Sequence, residues 1–421
     1  MIKVKKVDVQ WLESIPESWR LLKLKFLCDI NTGSRDTQDK LPDGKYPFFV
    51  RSPHVEGLNE FSHDEEAVMT AGDGVGVGKV FHYYDGKFAA HQRVYVFTKF
   101  KNIKGKYLYY YLMSNLKFEV LMGGAKSTVD SIRRPMLSEF PIAFPSLVSQ
   151  EKIIRFLDVK EAQINSLIES KEKYFSLLEQ QRQSIITEAV TKGLNPNVKM
   201  KDSGVEWIGE IPEHFEKTLI KYISDINMGQ SPSSEDVNVL GDGLPFLQGN
   251  AEFGEFYPTP KLFSTSINKQ SKLNDILLSV RAPVGAMNIS NQIFGIGRGL
   301  CSITPKIEMK FLWYWLIGYN EYLKSFSTGS TFEAISIDDI KNFVICVPEK
   351  NEQLEIVCFL DYKIGQIDNV KKQLKLQIQK LKEYRQSLIY EAVTGKIDVR
   401  EMEREVSEVS EDGCGYIGEG V

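Results

Sequence analysis

Two decapeptides 203 residues apart constrain this chain more than any other feature. Residues 182–191 read Arg-Gln-Ser-Ile-Ile-Thr-Glu-Ala-Val-Thr and residues 385–394 read Arg-Gln-Ser-Leu-Ile-Tyr-Glu-Ala-Val-Thr, identical at eight of ten positions. The match extends upstream, where Phe156-Leu157-Asp158 returns as Phe359-Leu360-Asp361 and Gln163-Ile164 as Gln366-Ile367. A second echo, offset by 196, carries Trp11, Ile15-Pro16-Glu17, Asp29-Ile30-Asn31 and Gly33 to Trp207, Ile211-Pro212-Glu213, Asp225-Ile226-Asn227 and Gly229. Solenoid repeats recur every ~20–50 residues. A period near two hundred instead means one domain-sized unit used twice, and a pseudo-two-fold molecule whose partner is two-fold or has two similar halves.

Charge distribution bears on what such a molecule binds. The net charge is −4, but residues 401–421 hold seven acids and one arginine, a balance of −6, so residues 1–400 carry +2. The tail reads as a solvated end and the body as slightly basic, which permits DNA binding without demanding it. The five cysteines are scattered, with no Cys-x-x-Cys, which suits a reducing cytoplasm. The opening Met1-Ile2-Lys3-Val4-Lys5-Lys6 lacks the apolar stretch of a signal peptide. The longest apolar run, 311–317, is too short to cross a bilayer, so no membrane partner is expected.

Each copy divides into a globular part and a long helix. Residues 150–191 contain no Gly or Pro, and Ile153, Leu157, Ile164, Leu167, Tyr174, Leu178 and Ile185 recur at steps of three and four. Their counterparts are Ile356, Leu360, Ile367, Val370, Leu374, Leu381 and Leu388, joined by Tyr384. This is a heptad seam, interrupted by Lys160, Lys171 and Gln181 and then by Lys363 and Gln377. Two readings fit: helices lying on their own domains, or an antiparallel pair between the globular parts, the reading favoured here. Gly193 and Gly395 stop the helices. The expected organisation is a first domain at 1–149, a first long helix at 150–192, a linker at 193–206, a second domain at 207–352, a second long helix at 353–396, and an acidic, disordered tail at 397–421. Segments 46–50, 94–97 and 275–280 read as strands, and 106–121 and 309–326 as helices whose aromatic rows are core. The fold class is α+β, with two mixed α/β domains.

Catalytic signatures are not found. The run Gly72-Asp73-Gly74-Val75-Gly76-Val77-Gly78-Lys79 tempts a phosphate-loop reading, but Asp73 stands where a glycine is needed and Val80 follows the lysine. His54, His63, His82, His91 and His214 never fall at metal-ligand spacing. No nucleophile elbow, nuclease core or amino-methyltransferase motif occurs, so the chain is expected to be no enzyme and to hold no metal.

The layout resembles the specificity subunit of type I restriction–modification systems. Pro145-x4-Gln150-x2-Ile153 and Pro348-x4-Gln353-x2-Ile356 resemble that family's helix entries, the twin decapeptides its helix ends, and Trp207-Ile208-Gly209-Glu210-Ile211-Pro212 the opening of a target-recognition domain. The resemblance covers about residues 8–400. It implies two target-recognition domains separated by an antiparallel coiled coil, each reading one half of an asymmetric bipartite target in double-stranded DNA. It also implies a cytoplasmic complex with two methyltransferase subunits and two motor/nuclease subunits. S-adenosylmethionine, ATP and Mg would then sit on those partners and none on this chain.

Base-reading groups in such domains should be polar side chains on glycine-rich loops. In the first domain these are Arg51, Ser52 and His54, Lys79, His91, Gln92 and Arg93, and Lys126 with Ser127. In the second they are Gln248 and Asn250, Arg281, Arg298, and Thr328 with Ser330. The bland reading of each is a solvated loop or an internal salt bridge. Two other functions stay open at this stage: a coiled-coil adaptor that never touches DNA, and the recognition subunit of a different phage-defence methylation complex.

Overall fold

The computed structural model describes residues 3–122, 131–326, 334–398 and 400–404, with side chains of 120–122 left aside. Lys126, Ser127, Thr328, Ser330 and most of the acidic tail lie outside the described residues. The chain forms two compact units: residues 1–171 with 376–421, and residues 172–375.

The globular part of each unit opens with a hairpin, Val4–Val9 with Leu12–Pro16 in the first and Met200–Asp202 with Glu210–Pro212 in the second. A strand at the start of the domain then pairs with one at its end, Arg20–Lys23 with Pro141–Phe144 and Glu216–Leu219 with Val344–Val347. In the first unit a six-stranded sheet runs in the order Asp29–Thr32, Val94–Thr98, His63–Ala71, Phe81–Ala90, Tyr46–Phe49, Glu56–Leu58. The second unit splits this sheet into two of four strands. The break falls where Phe81–Ala90 is answered by two short strands, Met287–Ile289 and Gly295–Ile296. Between them the Ser290 hydroxyl donates to the Gln292 carbonyl at 2.8 Å and turns the chain out of the ladder.

Gly33 and Gly229 show why the sequence repeats where it does. A Cβ on Gly33 would lie 2.0 Å from the Ala90 carbonyl oxygen, and one on Gly229 2.1 Å from that of Gly297. Only glycine allows this strand crossing.

The aromatic rows are core, as expected. Tyr107, Tyr110 and Tyr111 are buried in the first unit, as are Phe311, Trp315 and Tyr319 in the second. Trp11 stacks on Phe118 and Phe140, and Trp207 on Tyr322. The helix expected at 309–326 is two helices, Met309–Gly318 and Asn320–Ser325. The Gly318 carbonyl is drawn out of the helical ladder by Gln183 Nε2 at 2.7 Å and Thr187 Oγ1 at 3.3 Å.

The long helices are Leu147–Lys192 and Lys350–Val393. The proline-to-glutamine motif makes their entry. Gln150 Nε2 donates to the Pro145 carbonyl and Oε1 accepts from the Lys104 amide; Gln353 does the same with Pro348 and Glu308. Both glutamines are buried, so the pattern satisfies backbone groups that water cannot reach. A second repeated device ties domain to helix: Asp158 takes the Lys106 ammonium and Tyr110 hydroxyl, and Asp361 takes those of Lys310 and Tyr314.

Within each unit the helix segments pair antiparallel. In the first unit Lys171 bonds Gln377 and Asn165 bonds Arg385; in the second Glu179 bonds Lys371 and Arg182 pairs with Asp368. The seam keeps most of the row expected from the sequence, Ile153, Leu157, Ile164, Ile356, Leu360 and Ile367 among its buried members, and departs from it at a few positions. Leu178 (6% exposed) and Leu374 (7%) lie within it as expected, whereas Leu167 (51%), Tyr174 (49%), Val370 (37%) and Tyr384 (54%) lie outside, and Ile168 (6%) is buried in place of Leu167. A straight helix drifts ~20° per heptad against a 3.5-residue row, and Leu167-Ile168 offers an apolar residue at either phase. At the matching place Lys371, not Val370, fills the seam, with its ammonium 5.3 Å from the Phe175 ring centre.

Candidate nucleic-acid interface

Strand register identifies equivalent loop positions in the two units. Asp29 pairs with Thr98 as Asp225 does with Thr304, and Ala71 pairs with Val94 as Ser279 does with Leu300. Two residues further on, Asp73 bridges Ser131 and Arg281 bridges Ala334. Phe48 and Phe246 occupy matching parallel pairs with Ala89 and Gly295. By this register Arg51 answers to Gly249, Asp73 to Arg281, Gln92 to Arg298 and Arg93 to Gly299.

In the first unit, three loops converge on one carboxylate. Arg51 Nη1 reaches Asp73 Oδ1 at 2.7 Å, and Arg93 Nη1 reaches Asp73 Oδ2 at 2.7 Å. Burial pushes the Asp73 carboxyl up, but the hydrogen bonds and charge of the two arginines outweigh it and hold it below the ordinary range. The glycine run serves this cluster. Gly74 sits at φ +78°, and a Cβ on Gly76 would lie 2.4 Å from the Arg51 carbonyl oxygen. The glycines let the loop pass against the Arg51 backbone.

The other expected residues of this unit are placed less uniformly. Ser52 accepts the His54 amide on its hydroxyl, and its carbonyl lies 3.1 Å from His82 Nε2. His54 is exposed. His91 is 3% exposed and accepts the Arg93 amide on Nδ1 at 3.0 Å. Burial first, and then the charge of Arg51, lower its pKa and keep it neutral. His91 therefore braces the turn that carries Arg93 and presents no edge of its own, a correction to its expected role. Gln92 is exposed, and its Nε2 donates to Asp36 Oδ2 at 2.8 Å. Lys79 lines a cavity of about 590 Å³ with Lys117, Lys382 and Arg385, beside the end of the second long helix.

In the second unit, Gln248, Arg281 and Arg298 come off three adjoining backbones. The Gly297 amide donates to Leu247 and the Val280 amide to Gly299. All three side chains are exposed, and neither arginine has an ion pair among the described residues. Asn250 is half-buried at the start of a short turn, Asn250–Glu252. Gly249 faces open space. Sequence reasoning missed Asp73, which it met only as a residue spoiling a phosphate loop. Its place opposite Arg281 comes from strand register, since the offsets of 196 and 203 read from the sequence would set it against residues 269–276.

Matched frameworks that end in unlike, cationic loop clusters define a two-headed recognition protein. Known proteins give the class its family. The type I restriction modification DNA specificity domain matches residues 16–173 and again 212–380. The putative type I restriction enzyme MjaX specificity subunit of Methanocaldococcus jannaschii is 34% identical, with 92% of this chain and 95% of that one covered. The EcoDI specificity subunit of Escherichia coli is 24% identical over 91% of this chain and 89% of its own length. A solved structure, described as the structural basis underlying complex assembly and conformational transition of the type I R-M system, has a TM-score of 0.72. It is 23% identical, with 91% of this chain and 99% of that chain covered, and so speaks for the fold. The chain belongs to the type I restriction–modification DNA specificity family. As a specificity subunit it is a non-catalytic DNA-recognition component, and the catalytic activities lie on partner subunits. Among the described residues no group of three or more His, Cys, Asp or Glu could hold a metal, and no helix is long and apolar enough to cross a membrane.

Proposed function

We propose that each unit reads one half of an asymmetric, bipartite DNA sequence, and that the helix pair sets the unread gap and docks two methyltransferase subunits. Two motor/nuclease subunits complete the cytoplasmic complex, and S-adenosylmethionine, ATP and Mg are held by the partners. One contrast carries the reading: the anchors that join domain to helix are duplicated bond for bond, while the loops are not. Gln150 and Gln353, and Asp158 and Asp361, make the same bonds in both units. Loop positions that answer to each other carry Arg51 and Gly249, Asp73 and Arg281, Arg93 and Gly299. Two scaffolds of one design with different polar faces suit two different half-sites. Docking of one partner twice is supported by the helix ends, where Ser184 and Ser387 repeat on exposed faces.

Exchanging residues 1–149 for the first domain of another specificity subunit tests the reading. The methylated target, read by sequencing the genome of a host that makes the hybrid with its modification partners, should change in one half-site only. Both half-sites changing together would refute independent heads. A chain that never touches DNA would show no fall in duplex affinity with rising salt.

A further inference from the structure

The two loop clusters differ in a way that the duplication makes interpretable. At three equivalent positions the first unit carries Arg51, Asp73 and Arg93, and the second carries Gly249, Arg281 and Gly299. Each trio sums to a single positive charge. The neighbouring pair, Gln92 and Arg298, adds one more positive charge to the second head, and beyond charge the shape and number of donors differ. In the first head one carboxylate holds two guanidinium groups at 2.7 Å each. Each arginine spends one N–H on Asp73 and retains others of its five for a base edge. In the second head the central residue is itself the arginine. Its flanks are glycines, so no side chain at either position competes for Arg281 or holds the backbone off a duplex.

We propose that positions 73 and 281 are the specificity-determining centres of the two heads: Asp73 positions Arg51 and Arg93 as paired readers of the first half-site, and Arg281 reads the second directly. The inference rests on the DNA-reading function proposed above and assigns it to residues. An arginine fork matches the O6 and N7 acceptors of guanine, and a lysine cannot reproduce both bonds. The second half-site therefore contains a guanine, on either strand, under Arg281. Asp73 touches no base; it acts through the two arginines.

The test uses the full chain together with its modification partners. Methylation targets are determined for the unaltered chain and for Arg281→Gln, Arg281→Lys and Asp73→Asn. Affinities are measured on duplexes with single half-site substitutions across a salt series. Arg281→Gln should lose discrimination on the order of ten- to a hundredfold at one base pair of the second half-site. Arg281→Lys should recover part of it, and the first half-site should be unchanged in both. Asp73→Asn should free both arginines, relax the first half-site and spare the second. Because it also removes a negative charge, affinity for unrelated duplex should rise and the salt slope steepen by about one. A purely structural ion pair would not produce that combination. Should Asp73→Asn fail to assemble, Arg51→Gln and Arg93→Gln must each weaken discrimination in the first half-site alone. A bipartite target that stays the same in every variant overturns this assignment and leaves the proposed function standing. An unaltered chain with no bipartite target overturns both.

Discussion

At the scale of single residues, the duplicated sequence marks groups that satisfy buried backbone. Gln150 and Gln353 are the clearest, because each closes the gap between the end of a domain and the start of a helix. Replacing Gln150 by leucine keeps the volume and strands the Lys104 amide and the Pro145 carbonyl. The expected cost is about 1–3 kcal/mol for each stranded group. The urea midpoint of the first unit should fall, and Gln353→Leu should do the same to the second. Equal stability of wild type and Gln150→Leu would mean that these bonds contribute nothing. The glutamines were legible because the repeat displayed them twice with the same spacing. Asp73 was not, because its partners come from loops 22 and 20 residues away and its counterpart in the other copy is an arginine.

Among elements, the helices were legible in extent, and the seam in most of its positions but not at Leu167, Tyr174, Val370 and Tyr384. A run without Gly or Pro announced the first helix and the repeated apolar row the second, and the structure gives them 46 and 44 residues. Which side chains face inward depends on a partner that periodicity alone does not locate, and adjacent apolar pairs accept either phase. Alanine substitution separates the members of the row that face inward from those that do not. Leu178→Ala and Leu374→Ala should each destabilise by about 2–5 kcal/mol. Leu167→Ala and Tyr174→Ala, on the outer face, should stay within about 0.5 kcal/mol. Thermal unfolding of the four variants decides it, and the reverse ranking would put Leu167 and Tyr174 inside the seam and Leu178 and Leu374 outside it. The sheet split of the second unit was also illegible. Ser290-Asn291-Gln292 stands at the break, where the Ser290 hydroxyl bonds the Gln292 carbonyl.

For the whole molecule, the units differ in their response to acid. Burial lowers the pKa of His63, His82 and His91, all in the first unit. A lowered folded value means the unfolded chain binds protons first. The stability these groups contribute is therefore full above the ordinary histidine value of about 6.5 and drains as pH falls below it. Moving from about pH 7.5 to 5.5 should loosen the first unit ahead of the second. Hydrogen exchange resolved by segment should show faster exchange in strands His63–Ala71 and Phe81–Ala90, while Ile276–Ser279 keeps its protection. Uniform loosening of both units would exclude these histidines as the cause. The division of the chain has a further consequence, one of timing during synthesis. The second unit is one continuous stretch, 172–375, whereas the first needs residues from 376 onward. The Tyr107 hydroxyl donates to the Val393 carbonyl, and Leu388, Ile389, Ala392 and Met402 belong to the same core as Leu12 and Trp19. The head that leaves the ribosome first is thus the last to be finished. It must wait for the other to be made, and a message cut short near codon 375 would yield one complete reader and one that never closes.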